Sequence, residues 1–173
     1  MTKSGNSETG ERTLILAPRG RDAVLAQGIL READLRGDIC ASFLELVAGI
    51  RAGCELAMIT EEAFRDIDMR SLVEWVSQQP AWSDFPFIVL TERGGGIERN
   101  PTAARLTEAL GSVSFLERPF HPTTLISVVR THLRGRRRQY ECRKLNEERR
   151  RTHRQRRGPR YLDHDLPAAL RSR

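Results

Sequence analysis

The chain has 173 residues, of which 39% are hydrophobic, enough for one domain with a buried core. No apolar run approaches the roughly 18 residues that a membrane helix needs, which argues against a membrane-spanning protein. The charge is divided unevenly. Residues 134–173 hold 15 Lys and Arg against 5 Asp and Glu, a net of +10, whereas residues 1–133 hold 14 against 18, a net of −4. The body is therefore mildly acidic, and the C-terminal arm makes the chain basic.

The N-terminus and the cysteines indicate a cytoplasmic protein. Residues 1–12 are polar and include acids, unlike a signal or transit peptide, so they are predicted to form a disordered leader. The three cysteines are an odd number without CxxC spacing, which predicts reduced thiols. Cys40 and Cys54 are expected in or beside the core.

The first two strands are predicted near the N-terminus. Residues 14–16 are apolar and indicate the first strand. The segment after it has four residues at helical spacing: Val24, Leu25, Gly28 and Ile29. A weaker second strand, around residues 38–41, precedes a helix that ends at Gly53.

The third and fourth strands have clearer apolar runs. Residues 56–59 predict the third strand. The helix after it is expected to begin at Ser71, because Glu74 follows at the spacing of a capping box. Residues 87–90, Phe-Ile-Val-Leu, predict the fourth strand.

Proline and glycine mark the remaining boundaries. Asn100 and Pro101 supply an N-cap and a first helical residue, and Gly111 ends that helix. Residues 113–116 predict the fifth strand, and Pro122 can begin the last helix.

Five apolar runs, each followed by a helical pattern, predict an α/β protein whose parallel sheet is covered by helices on both faces. Five such units fit a flavodoxin-like (βα)5 doubly wound fold, expected over residues 13–133. A basic helical extension, residues 134–157, and a disordered tail, residues 158–173, are predicted to follow. In doubly wound folds ligands bind at the carboxyl ends of the strands, so the residues after each strand are the candidate site.

Two of these strand ends carry informative motifs. Thr91 follows the fourth strand, and residues 115–120 read Phe-Leu-Glu-Arg-Pro-Phe at the fifth. In order and spacing, residues 13 to about 135 resemble the receiver domain of bacterial response regulators. That family has a hydroxyl residue at the first place and a Lys-Pro pair at the second. The resemblance implies a role in two-component signalling.

The resemblance also implies where phosphorylation chemistry would lie. In the family, two acids after strand one and an aspartate ending strand three hold Mg²⁺, and that aspartate accepts the phosphoryl group. Here the acid pair falls on Ala17 and Pro18, the acceptor on Thr60, and the lysine on Arg118. Only Thr91 keeps the family's residue type. The chain is therefore interpreted as a pseudo-receiver that is not an enzyme and has no metal or cofactor.

Glu61 and Glu62 directly follow the third strand. A permanent carboxylate near Thr91 and Arg118 would imitate a phosphorylated receiver. The alternative is that both glutamates begin a solvated loop. A further alternative is an active phosphoacceptor that uses an unexpected acid such as Glu61 or Asp66.

The glycines at 94–96 follow the fourth strand. A glycine loop in this position can cradle phosphate, but the spacing of neither nucleotide-binding motif is present. They are predicted to form a flexible loop.

A narrower resemblance rests on residues 80–86, 116–119 and 136–140. These segments look like receiver-like N-terminal regions of certain bacterial sensor histidine kinases, in which the last helix continues into the dimerisation helices. No kinase core follows here, and residues 131–134 lack the Glu and Pro of the kinase histidine box. The chain is interpreted as a stand-alone or truncated relative.

The resemblance places a protein-binding face on the fourth helix, fifth strand and fifth helix. Its expected residues are Ala103, Leu106, Leu110, Leu125, Val129 and Leu133. A histidine kinase or regulator is the expected partner, and a homodimer through the last helix is a further expectation.

The basic arm supports a rival interpretation. Its arginines include Arg136, Arg137, Arg138, Arg149, Arg150 and Arg151. Arg136 and Arg143 interrupt a partial heptad, so a stable coiled coil is not predicted. The arm is interpreted either as a solvated helix left by a missing downstream domain or as an electrostatic arm for nucleic acid or anionic lipid. Weak, non-specific polyanion binding is expected in both cases.

Overall fold

The computed structural model describes residues 11–65, 67–92 and 101–156. Within them, five strands and five α-helices alternate: β1 (Arg12–Leu16), α1 (Asp22–Glu32), β2 (Arg36–Ile39), α2 (Phe43–Ala52), β3 (Leu56–Thr60), α3 (Arg70–Ser77), β4 (Phe87–Thr91), α4 (Pro101–Leu110), β5 (Val113–Glu117) and α5 (Pro122–Arg156). A short 3-10 helix, Glu61–Phe64, follows β3. Most of the predicted leader, Asp66, Asn100, the glycines at 94–96 and the predicted tail lie outside the described residues.

The strands form one parallel sheet in the order β2-β1-β3-β4-β5. The chain reverses its direction of winding between β1 and β3, which lie side by side although β2 separates them in sequence. This confirms the predicted flavodoxin-like doubly wound fold. The switch point places the candidate site at the carboxyl ends of β1 and β3.

Helices cover both faces of the sheet. The helices α2, α3 and α4 pack on one face through Leu46, Ile50, Leu72, Leu106 and Leu110. The helices α1 and α5 pack on the other through Ala26, Leu30, Leu125, Val129 and Leu133. All five residues of β3 and of β4 are buried, as expected for strands covered on both sides.

The chain divides into two units, the first ending at Gln139 and the second beginning at Tyr140. The first contains the sheet and its helices. In the second, residues 140–156 continue α5, and every side chain described there, up to residue 153, is exposed.

Several predicted boundaries are confirmed. Pro101 and Pro122 are the first residues of α4 and α5. Gly53 and Gly111 end α2 and α4 with φ of +110° and +76°, a region that residues with a side chain rarely adopt.

Other local predictions were wrong. The strand β2 begins two residues early, at Arg36, and its side chains are at most half-buried because it forms an edge of the sheet. The helix α3 begins at Arg70, with Met69 at its N-cap and no side-chain cap, so Ser71 and Glu74 do not form a capping box.

The buried face of α1 also differs from the pattern. Val24 and Leu25 are 62% and 55% exposed. The buried residues of this helix are Ala23, Ala26, Ile29 and Leu30. The two alanines give this face a weak signal in the sequence, and two larger apolar residues, Val24 and Leu25, lie on the side exposed to water.

The predicted interaction face needs correction. Ala103, Leu106, Leu110, Leu125, Val129 and Leu133 are all buried, none more than 4% exposed. These side chains hold α4 and α5 on the sheet, so they are not available at the surface. Binding through other side chains of the same elements stays a prediction.

The basic arm needs a second correction. Arg136 is only 5% exposed and therefore belongs to the packed body. Arg137, Arg138 and the arginines at 149–151 are exposed. The helix α5 thus stays packed beyond residue 134, where the extension was predicted to begin.

Candidate functional site

The carboxyl ends of the neighbouring strands β3, β4 and β5 lie side by side at the same end of the sheet. Thr60 ends β3 and Thr91 ends β4, and both are buried, at 2% and 6% exposure. Thr91 pairs with Glu117 in the register of β4 and β5. The backbone N–H of Arg118 donates to the carbonyl oxygen of Thr91 at 2.9 Å, which places Arg118 just beyond the strand ends.

Arg118 forms the centre of the site. Its side chain is 18% exposed, and its two terminal nitrogens form ion pairs with Asp22 and Glu62. Its Nε also donates to the carbonyl oxygen of Thr91 at 3.3 Å. The guanidinium is therefore held by two carboxylates and one backbone oxygen, and we name Arg118, Asp22 and Glu62 the charge triad.

Local structure places both carboxylates. Glu62 lies in the 3-10 helix that directly follows β3, and the buried Ala63 beside it fixes that helix against the core. Asp22 is the first residue of α1, where a negative charge is favoured by the N-terminal end of the helix dipole. The triad thus joins the connections after β1, β3 and β5.

The ion pairs change how these groups titrate. Burial alone would raise the pKa of Glu62, but the hydrogen bond and positive charge of Arg118 outweigh it and hold that pKa below its ordinary value. Burial also opposes the charge on Arg118, but the hydrogen bonds to Glu62 and Asp22 prevail and raise its pKa. Both Glu62 and Arg118 are therefore charged at neutral pH.

The structure brings together some of the predicted site residues. Thr60 and Thr91 end neighbouring strands, and Arg118 lies just beyond Thr91. Ala17 packs against the core, and Pro18 is exposed, so the two positions of the expected acid pair supply no carboxylate. Glu62, the second of the two candidate glutamates, makes the contact with Arg118.

Sequence reasoning missed Asp22. The resemblance directed attention to the two positions directly after β1, whereas this acid lies four residues beyond Pro18. Its signal was an acid in the first turn of the predicted helix. That signal becomes specific only when the fold shows that the turn faces Arg118.

A groove of about 330 Å³ adjoins the triad, lined by Asp22, Leu25, Glu92, Arg118, Pro119 and Phe120. Two of its lining residues are acids and one is basic. Glu62 also pairs with Arg118, so the described residues of the site include three carboxylates and one guanidinium. The charge of these described residues is therefore negative, which opposes the approach of an anion such as phosphate.

Neither a protein-family model nor a curated protein sequence matches the chain. Solved structures do. The signal receiver domain of a Luxo repressor protein from Vibrio parahaemolyticus superimposes with a TM-score of 0.57 at 18% identity, covering 74% of this chain and 93% of that one. The chain has the receiver fold.

Two further structures share this fold. The receiver domain of a signal transduction histidine kinase from Syntrophus aciditrophicus has a TM-score of 0.56 at 21% identity, covering 73% of this chain and 92% of that one. For NtrX from Brucella abortus, solved with ADP, the TM-score is 0.63 at 21% identity, covering 79% of this chain but 30% of that one. The chain thus spans less than a third of NtrX. At such identities the likeness establishes the fold.

Two other kinds of site are absent from the described residues. No helix in the described part of the chain is long and apolar enough to cross a membrane. Over residues 11–65, 67–92 and 101–156, no three His, Cys, Asp or Glu side chains are grouped so that they could hold a metal ion.

Proposed function

We propose that the chain is a phosphorylation-independent, receiver-like module that acts through protein contacts in two-component signalling. The observation that carries this proposal is the charge triad. Arg118, at the position of the lysine in the receiver resemblance, is already held by Asp22 and Glu62.

Two features of the site oppose phosphorylation, the charge triad and the residue at the acceptor position. A phosphoryl group arriving at the strand ends would have to displace a carboxylate from Arg118. This exchange replaces one anion beside the guanidinium by another, so the balance of charge in the site does not improve. The residue at the acceptor position, Thr60, is a buried hydroxyl that could form only a phosphoester, not the acyl phosphate that an aspartate forms.

Cation binding at the same edge meets the same difficulty. Magnesium requires oxygen ligands in near-octahedral geometry. Two carboxylates beside the strand ends, Asp22 and Glu62, are engaged by Arg118, so a divalent cation that used them would have to break both ion pairs first.

Within this proposal, Glu62 acts as a permanent substitute for the phosphoryl anion. Its lowered pKa keeps it ionised at any pH in the cell. Arg118 is thus held in one arrangement without phosphotransfer, and the partner-binding state does not depend on a kinase's activity.

The proposed setting is a cytoplasmic, non-enzymatic partner of a histidine kinase or regulator. The receiver domain of the kinase from Syntrophus aciditrophicus has the same fold, which supports an association with kinases. A truncated kinase N-terminal region and a stand-alone module both remain within this proposal.

A second candidate function concerns the exposed arginines. In the second unit, Arg149, Arg150 and Arg151 lie on an exposed helix, which favours contact with a polyanion. Without a base-reading motif, such contact should be non-specific and weak, with a Kd of roughly 10⁻⁴–10⁻⁶ M at physiological salt.

Phosphodonor treatment tests the main proposal. The chain is incubated with acetyl phosphate and Mg²⁺, and its intact mass is measured beside an active receiver domain as the assay control. We expect the mass to stay unchanged. A stoichiometric, hydroxylamine-labile phosphate would contradict the proposal and favour an acid such as Glu61 or Asp66 as acceptor.

A matched variant can show why the native chain does not react. Replacing Ala17, Pro18 and Thr60 by aspartate and Arg118 by lysine restores the residue types of the family. If this variant gains a labile phosphate while the native chain does not, the native residues themselves block the chemistry. Saturable NMR shifts at Thr60 and Thr91 on Mg²⁺ addition to the native chain would contradict the proposal.

A further inference from the structure

A second groove lies on the face of the sheet that carries α1 and α5. Its volume is about 400 Å³, and α5 lines it from Thr123 to Arg137. The opposite wall includes Leu35, in the connection between α1 and β2, and Glu11, just before β1. We name it the α5 groove, and it lies wholly within the first unit.

The shape of the α5 groove indicates an elongated occupant. Fourteen residues of helix separate Thr123 from Arg137, a length of about 21 Å at 1.5 Å per residue. A trough of this length can hold a row of side chains from a second helix.

The floor of the α5 groove is apolar. Leu133 is buried, and Leu35 and Ile126 are partly buried and pack against the core. These three side chains also line the groove. An occupant would therefore present apolar side chains along one stripe, as an amphipathic helix does.

The rim of the α5 groove is basic. Arg130, Arg134 and Arg137 follow one another at the i, i+4 and i+7 positions and therefore share a face of α5. Arg137 forms an ion pair with Glu11, whereas Arg130 donates to the carbonyl oxygen of Ala33 at 3.2 Å. In the described residues, neither Arg130 nor Arg134 pairs with a carboxylate. Of the residues that line the α5 groove, three are arginines and one, Glu11, is an acid.

This charge is local and does not reflect the composition of the body. Residues 122–139 contain five arginines and no acid, whereas residues 1–133 have a net charge of −4. Of these five arginines, only Arg136 is buried. The surface that residues 122–139 present is therefore positive, and it borders the apolar floor of the α5 groove.

We propose that the α5 groove binds an acidic amphipathic helix of a partner protein. The apolar stripe of that helix would lie against Leu35 and Ile126, and its flanking Asp and Glu side chains would pair with Arg130 and Arg134. The inference rests on the proposed function, since a module that acts by contact requires a contact surface. The α5 groove differs from the predicted face, because Leu133 is the one residue of that face that lines it.

The test uses the full chain and synthetic peptides of about 14 residues, the length of the α5 groove. One peptide has leucines on one helical stripe with glutamates on both sides, and a second has the same composition in scrambled order. Fluorescence anisotropy at physiological salt measures binding, and NMR shifts of the ¹⁵N-labelled chain locate it. We expect the amphipathic peptide to bind at least about tenfold more tightly than the scrambled one, with shifts confined to residues 35 and 123–137.

Variants separate the α5 groove from the exposed arm. Arg130→Gln/Arg134→Gln should weaken binding about tenfold or more, whereas the matched control Arg149→Gln/Arg150→Gln should leave it within about twofold. Arg130→Glu/Arg134→Glu should prefer a peptide in which lysines replace the glutamates. Both groove positions are exposed, so these variants are expected to fold.

Three outcomes would overturn the proposal: no binding of the amphipathic peptide, equal binding of the scrambled peptide, or equal loss in the control variant. A thymidine oligonucleotide that competes at the α5 groove as well as the peptide does would assign this surface to nucleic acid instead. Phosphodonor insensitivity is measured on the chain without peptide. If no peptide binds at the α5 groove, the proposed function therefore still stands. A labile phosphate would overturn that function whether or not the peptides bind.

Discussion

Replacing Arg136 by alanine should destabilise the body, although the sequence places this residue in a run of surface-type arginines. Its Nε lies 3.3 Å from a carboxylate oxygen of Glu55, and one terminal nitrogen donates to the Ser83 hydroxyl at 3.0 Å and the Gln139 amide oxygen at 2.8 Å. Its guanidinium carbon lies 5.5 Å from the ring centroid of Phe85. The alanine variant loses all of these contacts and leaves Glu55 without its partner.

The magnitude follows from burial. Removing one member of a buried ion pair costs about 3–5 kcal/mol, because the remaining charge is left uncompensated. The Glu55 side chain is 17% exposed, so water recovers part of that loss, whereas the Arg136 side chain is 6% exposed. We expect a loss of about 2–4 kcal/mol in the free energy of unfolding. At roughly 2–4 °C per kcal/mol, the melting temperature should fall by about 5–15 °C.

Urea unfolding monitored by circular dichroism and tryptophan fluorescence measures this loss. Trp75 is a local reporter, because its ring lies edge-on to Phe85 with centroids 5.1 Å apart. Arg138→Ala is the matched control. Arg138 is exposed two residues further along the same helix, and its replacement should cost less than about 0.5 kcal/mol.

Equal stability of the Arg136→Ala and Arg138→Ala variants, within about 0.5 kcal/mol, would refute the reasoning. Truncation provides a second comparison. A chain ending at Leu133 loses Arg136 and Gln139, so it should be destabilised at least as much as the alanine variant. A chain ending at Gln139 retains the whole first unit and should keep its cooperative unfolding.

Two further predictions concern titration and thiol chemistry. Glu62→Gln should cost about 1–3 kcal/mol at pH 7, measured by urea unfolding. The lowered pKa of Glu62 means that its contribution is complete above the unfolded value of about 4.3 and is lost as the pH falls through the lower folded value; a pH-independent cost would contradict this. Iodoacetamide should modify exposed Cys142 first, because burial raises the pKa of Cys40 to about 11 and of Cys54 to about 12. Mass spectrometry of the folded chain should find one adduct, and rapid addition of three would show that the two buried thiols are accessible.

The fold was largely predictable because strands and helix boundaries have local signals. The apolar runs of β3 and β4 have the length of strands buried on both faces, and Pro101 and Gly111 mark the two ends of α4. Where the local signal was weak, prediction failed. The edge strand β2 contains only one large apolar residue, Ile39.

The position of the candidate site was predictable, but only some of its residues were. Its position follows from the topology of doubly wound sheets, and the resemblance directed attention to Thr60, Thr91 and Arg118. The partners of Arg118 depend on long-range contacts, since Asp22 and Glu62 are 96 and 56 residues away in sequence. No local pattern reports such a contact.

Arg136 illustrates the same limit of prediction from sequence, because its burial also depends on residues distant in the chain. In the sequence it interrupts an apolar heptad, and the local pattern therefore favours a solvated helix. In the structure it continues the buried stripe of Leu125, Val129 and Leu133, because Glu55 and the face of the Phe85 ring accept its charge. A buried arginine is recognisable only when its partners are known.

The ion pairs of Arg118 and of Arg136 have one feature in common: each involves a glutamate beside β3. Glu55 directly precedes β3, and Glu62 lies just after it, so both ends of the central strand are tied to arginines. The arginine at one end, Arg118, lies just before α5, and the one at the other end, Arg136, lies within it. Sliding α5 along the sheet would therefore break at least one partly buried ion pair, at a cost of several kcal/mol. The part of α5 between these two ion pairs, which includes Arg130 and Arg134, therefore presents its surface in one fixed arrangement, as the proposed phosphorylation-independent binding through the α5 groove requires.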